Sequence, residues 1–229
     1  MELDKSKLDV GLIGVRIQEP LIMNTIWKKT KVYICGKTEY HYTVNTSLMM
    51  YFPLVENGDY DIRLCEQIEG TEYKVLQSET VTVDMPNQMV VWLQSNFYMK
   101  WSFDMPCIAD VYGKNINQIW YMIRKFEYDS DLASAMRAGN IKYNYTPYIQ
   151  QTYERQMGIC FDLTALFNSM LRSNGVPAKM CHGNTKSGYH AWSEVYVDGR
   201  WKIFDVTRNL KWLCLKEYNS SDYEVKFIY

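Results

Sequence analysis

The spacing of apolar residues changes once along this chain, and the change dictates two kinds of architecture. Up to about residue 104 they recur at every second position. Tyr60, Ile62 and Leu64 alternate with Asp61 and Arg63 after the turn Asn57-Gly58-Asp59, and Val81 and Val83 alternate with Thr80 and Thr82. Phe97, Met99, Trp101 and Phe103 extend the pattern, and VGLIGVRIQ (10–18) and KVYIC (31–35) read as further strands. Such strands, with almost no helical period among them, predict an antiparallel β-sandwich over 1–104. Beyond Met105-Pro106, Ile116, Ile119, Trp120, Ile123 and Phe126 share one helical face, and a short helix is expected over 131–138, ended by Gly139. After a Tyr-rich connector, KYNYTPYIQQTYERQ (142–156), a helix with Leu163, Leu166, Phe167 and Met170 as its apolar stripe runs to Gly175 and Pro177. The expected fold is α+β, with a β domain at 1–104 and an α+β domain at 105–229.

Bulk properties remove several functions. A net charge of −1 supplies no general attraction to nucleic acid or anionic membrane. The longest apolar run, LMMYFPLV (48–55), is too short to span a bilayer and holds Pro53. The charged start MELDKSKLDV has no signal-peptide core, so a cytoplasmic location is expected, and Asn45-Thr46-Ser47 and Asn219-Ser220-Ser221 are taken as chance matches to the glycosylation pattern. The six cysteines form no CxxC pair, which argues against a zinc or thioredoxin motif. Adjacent Cys181 and His182 on a strand would point to opposite faces and make a poor chelating pair.

Chemistry concentrates around Gly158-Ile-Cys-Phe-Asp. A helix cysteine is usually a small buried hydrophobe, but Cys160 falls at a helix start, where free N–H groups and the dipole favour a thiolate. A nucleophilic thiol needs a base, and the chain has only three histidines, His41, His182 and His190. His190 opens HAWSEVYVDGRWKIFDVT, which reads as a hairpin turning at Asp198-Gly199. With Val197 opposite Arg200, cross-strand partners sum to 397, His190 faces Thr207, and Asp205 becomes its diagonal neighbour on the same face. Diagonal backbone positions lie about 7–8 Å apart, within reach of two side chains leaning together. A carboxylate there fixes the imidazole tautomer and leaves the other nitrogen for the thiol. A one-residue bulge would put the two groups on opposite faces. The Cys160 backbone N–H is a natural oxyanion donor, and Gln151, Tyr153 and Gln156 are candidates for a second. Asp162 is expected to stabilise the helix end, and Trp192 to pack against the site.

Cys160 in Gly-Ile-Cys-Phe-Asp, His190 in His-Ala-Trp-Ser-Glu-Val and Asp205 in Trp-Lys-Ile-Phe-Asp-Val-Thr together resemble the core of the transglutaminase-like superfamily, in order and in spacing, as does the intervening Leu-Arg-Ser-Asn-Gly-Val-Pro-Ala. The resemblance spans about 110–210. It implies a papain-like catalytic domain with Cys160 as nucleophile, His190 as general base and acid and Asp205 as the orienting group. It also implies amide chemistry on a protein or peptide substrate through a thioester, with no metal or organic cofactor. Protease or amidase action is expected ahead of protein cross-linking. The competing expectation is a binding protein whose β-sandwich does the work, with an inactive second half.

Overall fold

The computed structural model describes residues 1–17, 29–44, 46–139 and 145–229. Gln18 of the first expected strand, Asn45 of the first glycosylation pattern and residues 142–144 of the connector lie outside them. The chain is a mixed α/β protein that divides into two compact units, Met1–Val91 and Trp92–Tyr229.

In the first unit, β1 (Glu2–Asp4), β2 (Leu12–Arg16) and β5 (Met50–Pro53) form one antiparallel sheet in the order β1-β2-β5. A second antiparallel sheet runs β4 (Glu39–Val44), β3 (Thr30–Cys35), β6 (Gly58–Glu69) and β7 (Glu72–Val83). In β3, β4 and much of β6 the alternation becomes one buried face, with Val32, Ile34, Tyr42, Ile62 and Leu64 buried, whereas β7 is buried only at Val81 and Val83. Phe52 of the first sheet lies against Tyr42 of the second, ring centroids 4.6 Å apart.

The division falls earlier than the expected 104/105, because residues 97–103 form no strand. Local side chains take the backbone bonds a ladder would need. Asn96 Oδ1 accepts the N–H groups of Tyr98 (3.2 Å) and Met99 (3.1 Å), and Ser95 Oγ accepts that of Trp101 (2.9 Å). The segment packs within the second unit, where the Tyr98 ring lies 5.0 Å from Phe161 and 4.9 Å from Tyr229.

The second unit contains α1 (Pro106–Ala109), α2 (Ile116–Ile123), the two-residue strand β8 (Glu127–Tyr128), α3 (Ser130–Arg137), α4 (Ile149–Arg155), β9 (Met157–Gly158) and α5 (Cys160–Ser173). Then come β10 (Ala178–Thr185), β11 (Gly188–Val197), β12 (Arg200–Phe204), α6 (Val206–Asn209), β13 (Glu217–Tyr218) and β14 (Tyr223–Ile228). The last five strands form an antiparallel sheet ordered β13-β12-β11-β10-β14. Helix α5 packs on β10 and β11 and against α2, α4 and α6, so every residue from Asp162 to Arg172 is buried. Arg172 satisfies its guanidinium on three carbonyls, Gln94 (2.7 Å), Ala178 (2.8 Å) and Tyr229 (2.9 Å), while burial pulls its pKa down to about 9. Among the described residues no helix is long and apolar enough to cross a membrane.

Candidate active site

The position of Cys160 is set by a short parallel pairing that no sequence pattern announces, Glu127 with Met157 and Tyr128 with Gly158. The chain then turns at Ile159 into α5, whose first residue is Cys160. Ile159 offers no side-chain cap; instead Asp162 Oδ2 reaches back to the Ile159 N–H at 3.0 Å. The Tyr145 hydroxyl lies 2.7 Å from each Asp162 oxygen. Burial pushes the Asp162 carboxyl pKa up, against the hydrogen bonds from Tyr145 and Ile159, which suits a buried capping group. The glycine ahead of the cysteine has a steric cause. A Cβ on Gly158 would stand 2.7 Å from Asp162 Cβ and 3.2 Å from Thr152 Cγ2, so only glycine lets the cap approach.

The hairpin takes the register read from sequence, from Val197 opposite Arg200 to Ser193 opposite Phe204. Asp198 (φ 53°) and Gly199 (φ 76°) make the tight turn, both left-handed as a type I′ turn requires. Strand β12 stops at Phe204, and Asp205 becomes the N-cap of α6, with Oδ1 accepting the Arg208 N–H at 3.1 Å. His190 Nε2 meets Asp205 Oδ2 at 2.9 Å. Two further donors close around this fully buried carboxylate, Tyr223 Oη on Oδ2 (2.9 Å) and Thr207 Oγ1 on Oδ1 (2.8 Å). Burial alone would raise the Asp205 pKa, but the bond and charge of His190, the Arg208 N–H and Thr207 hold it below the usual carboxylate value. For His190, burial disfavours the charged ring, yet hydrogen bonds and charges from Asp205 and Cys160 outweigh it and lift the pKa from 6.5 to about 9. With Nε2 on Asp205, Nδ1 is the nitrogen left for the thiol.

Cys160 and His190 share a cavity of about 340 Å³ whose walls include Tyr128, Met136, Ile159, Phe161 and Tyr189. Tyr128 lines the cavity beside Cys160, and burial, then the charge of Cys160, push its hydroxyl pKa up. The connector residues expected as oxyanion donors are elsewhere. Gln151 is exposed, the Tyr153 hydroxyl donates to Asp110, and Gln156 caps α4 with φ 51° while its carbonyl accepts the Glu127 N–H. None of the three lines the cavity, whereas Tyr128 does. A tyrosine 32 residues before the cysteine carries no local signal, because the β8–β9 pairing alone brings it there.

His182 also reaches the cavity, but it is 8% exposed and ringed by Tyr98, Phe161, Tyr189 and Tyr229. Burial, then the charge of His190, drive its pKa down to about 3, so it stays neutral. Trp192 lies in the core with Cys181, Ile203 and Tyr223, its ring 4.9 Å from that of Tyr223. Glu194 pairs with Lys179 at 3.7 Å rather than with any site residue.

A thiol at a helix start, an imidazole on the hairpin and a buried carboxylate just after it thus come together in the second unit. Residues 108–206, within the second unit, match the family model of the transglutaminase-like superfamily. Among solved structures, a "Putative Cysteine Protease from Cytophaga hutchinsonii" is similar at 16% identity, covering 96% of this chain and 83% of that one, with a TM-score of 0.45. A structure described as a TGase is similar at 23% identity over 46% of this chain and 28% of that one, with a TM-score of 0.36. No curated protein matches the chain. The family match ends at Val206, so Thr207 and Tyr223 lie beyond it.

Proposed function

We propose that the unit Trp92–Tyr229 is a thiol hydrolase or acyltransferase that cleaves an amide of a protein or peptide through a thioester on Cys160. The observation that carries this reading is the arrangement around His190, bound through Nε2 to the buried Asp205 at 2.9 Å and lining one cavity with Cys160. The Cys160 thiolate attacks the carbonyl carbon, and the resulting oxyanion takes hydrogen bonds from the Cys160 N–H and the Tyr128 hydroxyl. Imidazolium His190 gives its proton to the amide nitrogen as the C–N bond breaks, leaving a thioester and a free amine. Water or a second amine then loses a proton to His190, attacks the thioester and releases the thiolate. Asp205 keeps the imidazole oriented throughout. Hydrolysis is favoured because Cys160 is partly exposed and His190 17% exposed, so water reaches the thioester. The two antiparallel sheets of the first unit, with Tyr42 packed on Phe52, support reading it as a β-sandwich. A cytoplasmic location belongs to the same reading and rests on six free cysteines.

The test is a comparison of proteome cleavage by the wild type and by Cys160→Ala in ¹⁸O-labelled water containing a tagged primary amine. Label in new carboxylates defines a hydrolase, and the tag on acyl groups defines a transferase. No Cys160-dependent product of either kind would overturn the proposal.

A further inference from the structure

The cavity beside Cys160 has an uneven charge. Its walls are largely apolar or aromatic, and none of its lining residues is acidic. Its cationic side chains are His190, which is paired with Asp205 at 2.9 Å, and Arg137. Arg137 ends α3, where a cation suits the helix terminus, and that placement alone would make it a surface residue. Two observations go further. Among the described residues its hydrogen bond is a long one, from Nη2 to Ser134 Oγ at 3.3 Å, and it has no carboxylate partner. Its charge also acts on Tyr128, which lines the same cavity as Cys160. An exposed guanidinium thus lines the wall of the cavity that holds Cys160, with donors left over beyond the Ser134 bond, a group that recognises a carboxylate. His182, the other nitrogenous lining residue, is buried among aromatic rings and remains neutral, so it does not supply this charge.

We propose that Arg137 is a specificity residue that selects amide substrates carrying a carboxylate close to the scissile bond and disfavours those carrying an ammonium there. The inference rests on the thiol-enzyme reading and names its substrate class. The carboxylate belongs either to an acidic side chain or to a free chain terminus, and the two share this chemistry.

Three chloroacetylated probes separate the cases. Chloroacetyl-glutamine carries its carboxylate at the chain terminus, chloroacetyl-isoglutamine carries it on the side chain, and chloroacetyl-glutaminamide is neutral. Each alkylates Cys160 as the thiolate displaces chloride, and peptide mapping gives the rate. At least one anionic probe should react about threefold to fivefold faster than the neutral one, the range an incompletely buried ion pair supplies. The faster isomer identifies the source of the carboxylate. Arg137→Gln should bring the ratio close to one, and Arg137→Lys should keep most of it. A wild-type ratio near one would overturn the proposal, as would a preference that survives Arg137→Gln, because His190 would then be its source. Cys160 reacting with all three no faster than the other cysteines would instead strike at the thiol-enzyme reading itself.

Discussion

Tyr223 and His190 converge on one oxygen. Each places a donor 2.9 Å from Asp205 Oδ2, one from the last strand of the sheet and the other from the hairpin. The shared acceptor divides its charge between them, so Tyr223 tempers how strongly Asp205 holds the imidazolium. Other charged or titratable groups near this pair are Cys160, Arg208, Tyr218 and His182.

Histidine-labelled NMR titration should therefore give a His190 midpoint near 9 in the wild type. It should rise in Tyr223→Phe and fall toward 6.5 in Asp205→Asn. Because the folded pKa is raised, the matching stability is fully present below pH 6.5 and is lost as pH rises through about 9. Asp205→Asn should flatten that alkaline loss. In turnover, Asp205→Ala should cost on the order of 10², less than loss of Cys160 or His190, because a thiol depends less on assisted proton removal than a hydroxyl does. An unmoved His190 midpoint in both variants would separate Asp205 from the chemistry.

His182 supplies the opposite sign. Its folded pKa of about 3 lies below the ordinary 6.5, so its neutral burial stabilises the fold above pH 6.5, and that stability is lost as pH falls toward 3. His182→Phe, which keeps the ring volume, should weaken the acid dependence of thermal unfolding and leave turnover within a few-fold. If His182→Phe abolished activity and His190→Ala did not, the site would be built on the wrong histidine.

Much of this was legible because the hairpin obeys arithmetic. Asp198-Gly199 fixes a two-residue loop, and the loop fixes the register as far as Ser193 opposite Phe204. His190 does not pair with Thr207 as expected, because the chain leaves the strand there, and Asp205 meets His190 as the N-cap of α6. Cys160 was legible through the helix boundary after Gly158. The strand expected over 97–103 was not a strand, because alternating aromatics also arise where an irregular segment crosses a helix and a chain end. Ser95 and Asn96, which take its backbone bonds, were the available warning. Tyr128 and Tyr223 were invisible for another reason. Each reaches the site through pairing between distant segments, and no local pattern records which strands become neighbours.

Gly158→Ala tests the cap. The added Cβ would sit 2.7 Å from Asp162 Cβ, so Asp162 must move and release the Ile159 N–H. A loss of about 1–3 kcal/mol in stability is expected, together with slower alkylation of Cys160. Unchanged melting and unchanged alkylation would show that the cap does not set the cysteine.

The start of the second unit should matter to its folding. A fragment 92–229 keeps Gln94, whose carbonyl receives Arg172 Nη1, and Tyr98, packed on Phe161 and Tyr229. A fragment 105–229 loses both. Loss of the bond to a buried charged group alone costs about 1.5–3 kcal/mol, so calorimetry should find the longer fragment cooperatively folded and the shorter one markedly less stable. Equal melting temperatures would move the boundary back toward 105.

The central claim is that Cys160 works with His190 as an activated nucleophile. Iodoacetamide labelling at pH 6, followed by peptide mapping of all six cysteines, tests it most directly. Accessibility alone ranks the exposed Cys214 first and the partly exposed Cys160 behind it. The account predicts the reverse, with Cys160 labelled ahead of Cys214 and that lead lost in His190→Ala. Labelling of Cys214 first, with Cys160 reacting only as the protein unfolds, would contradict it.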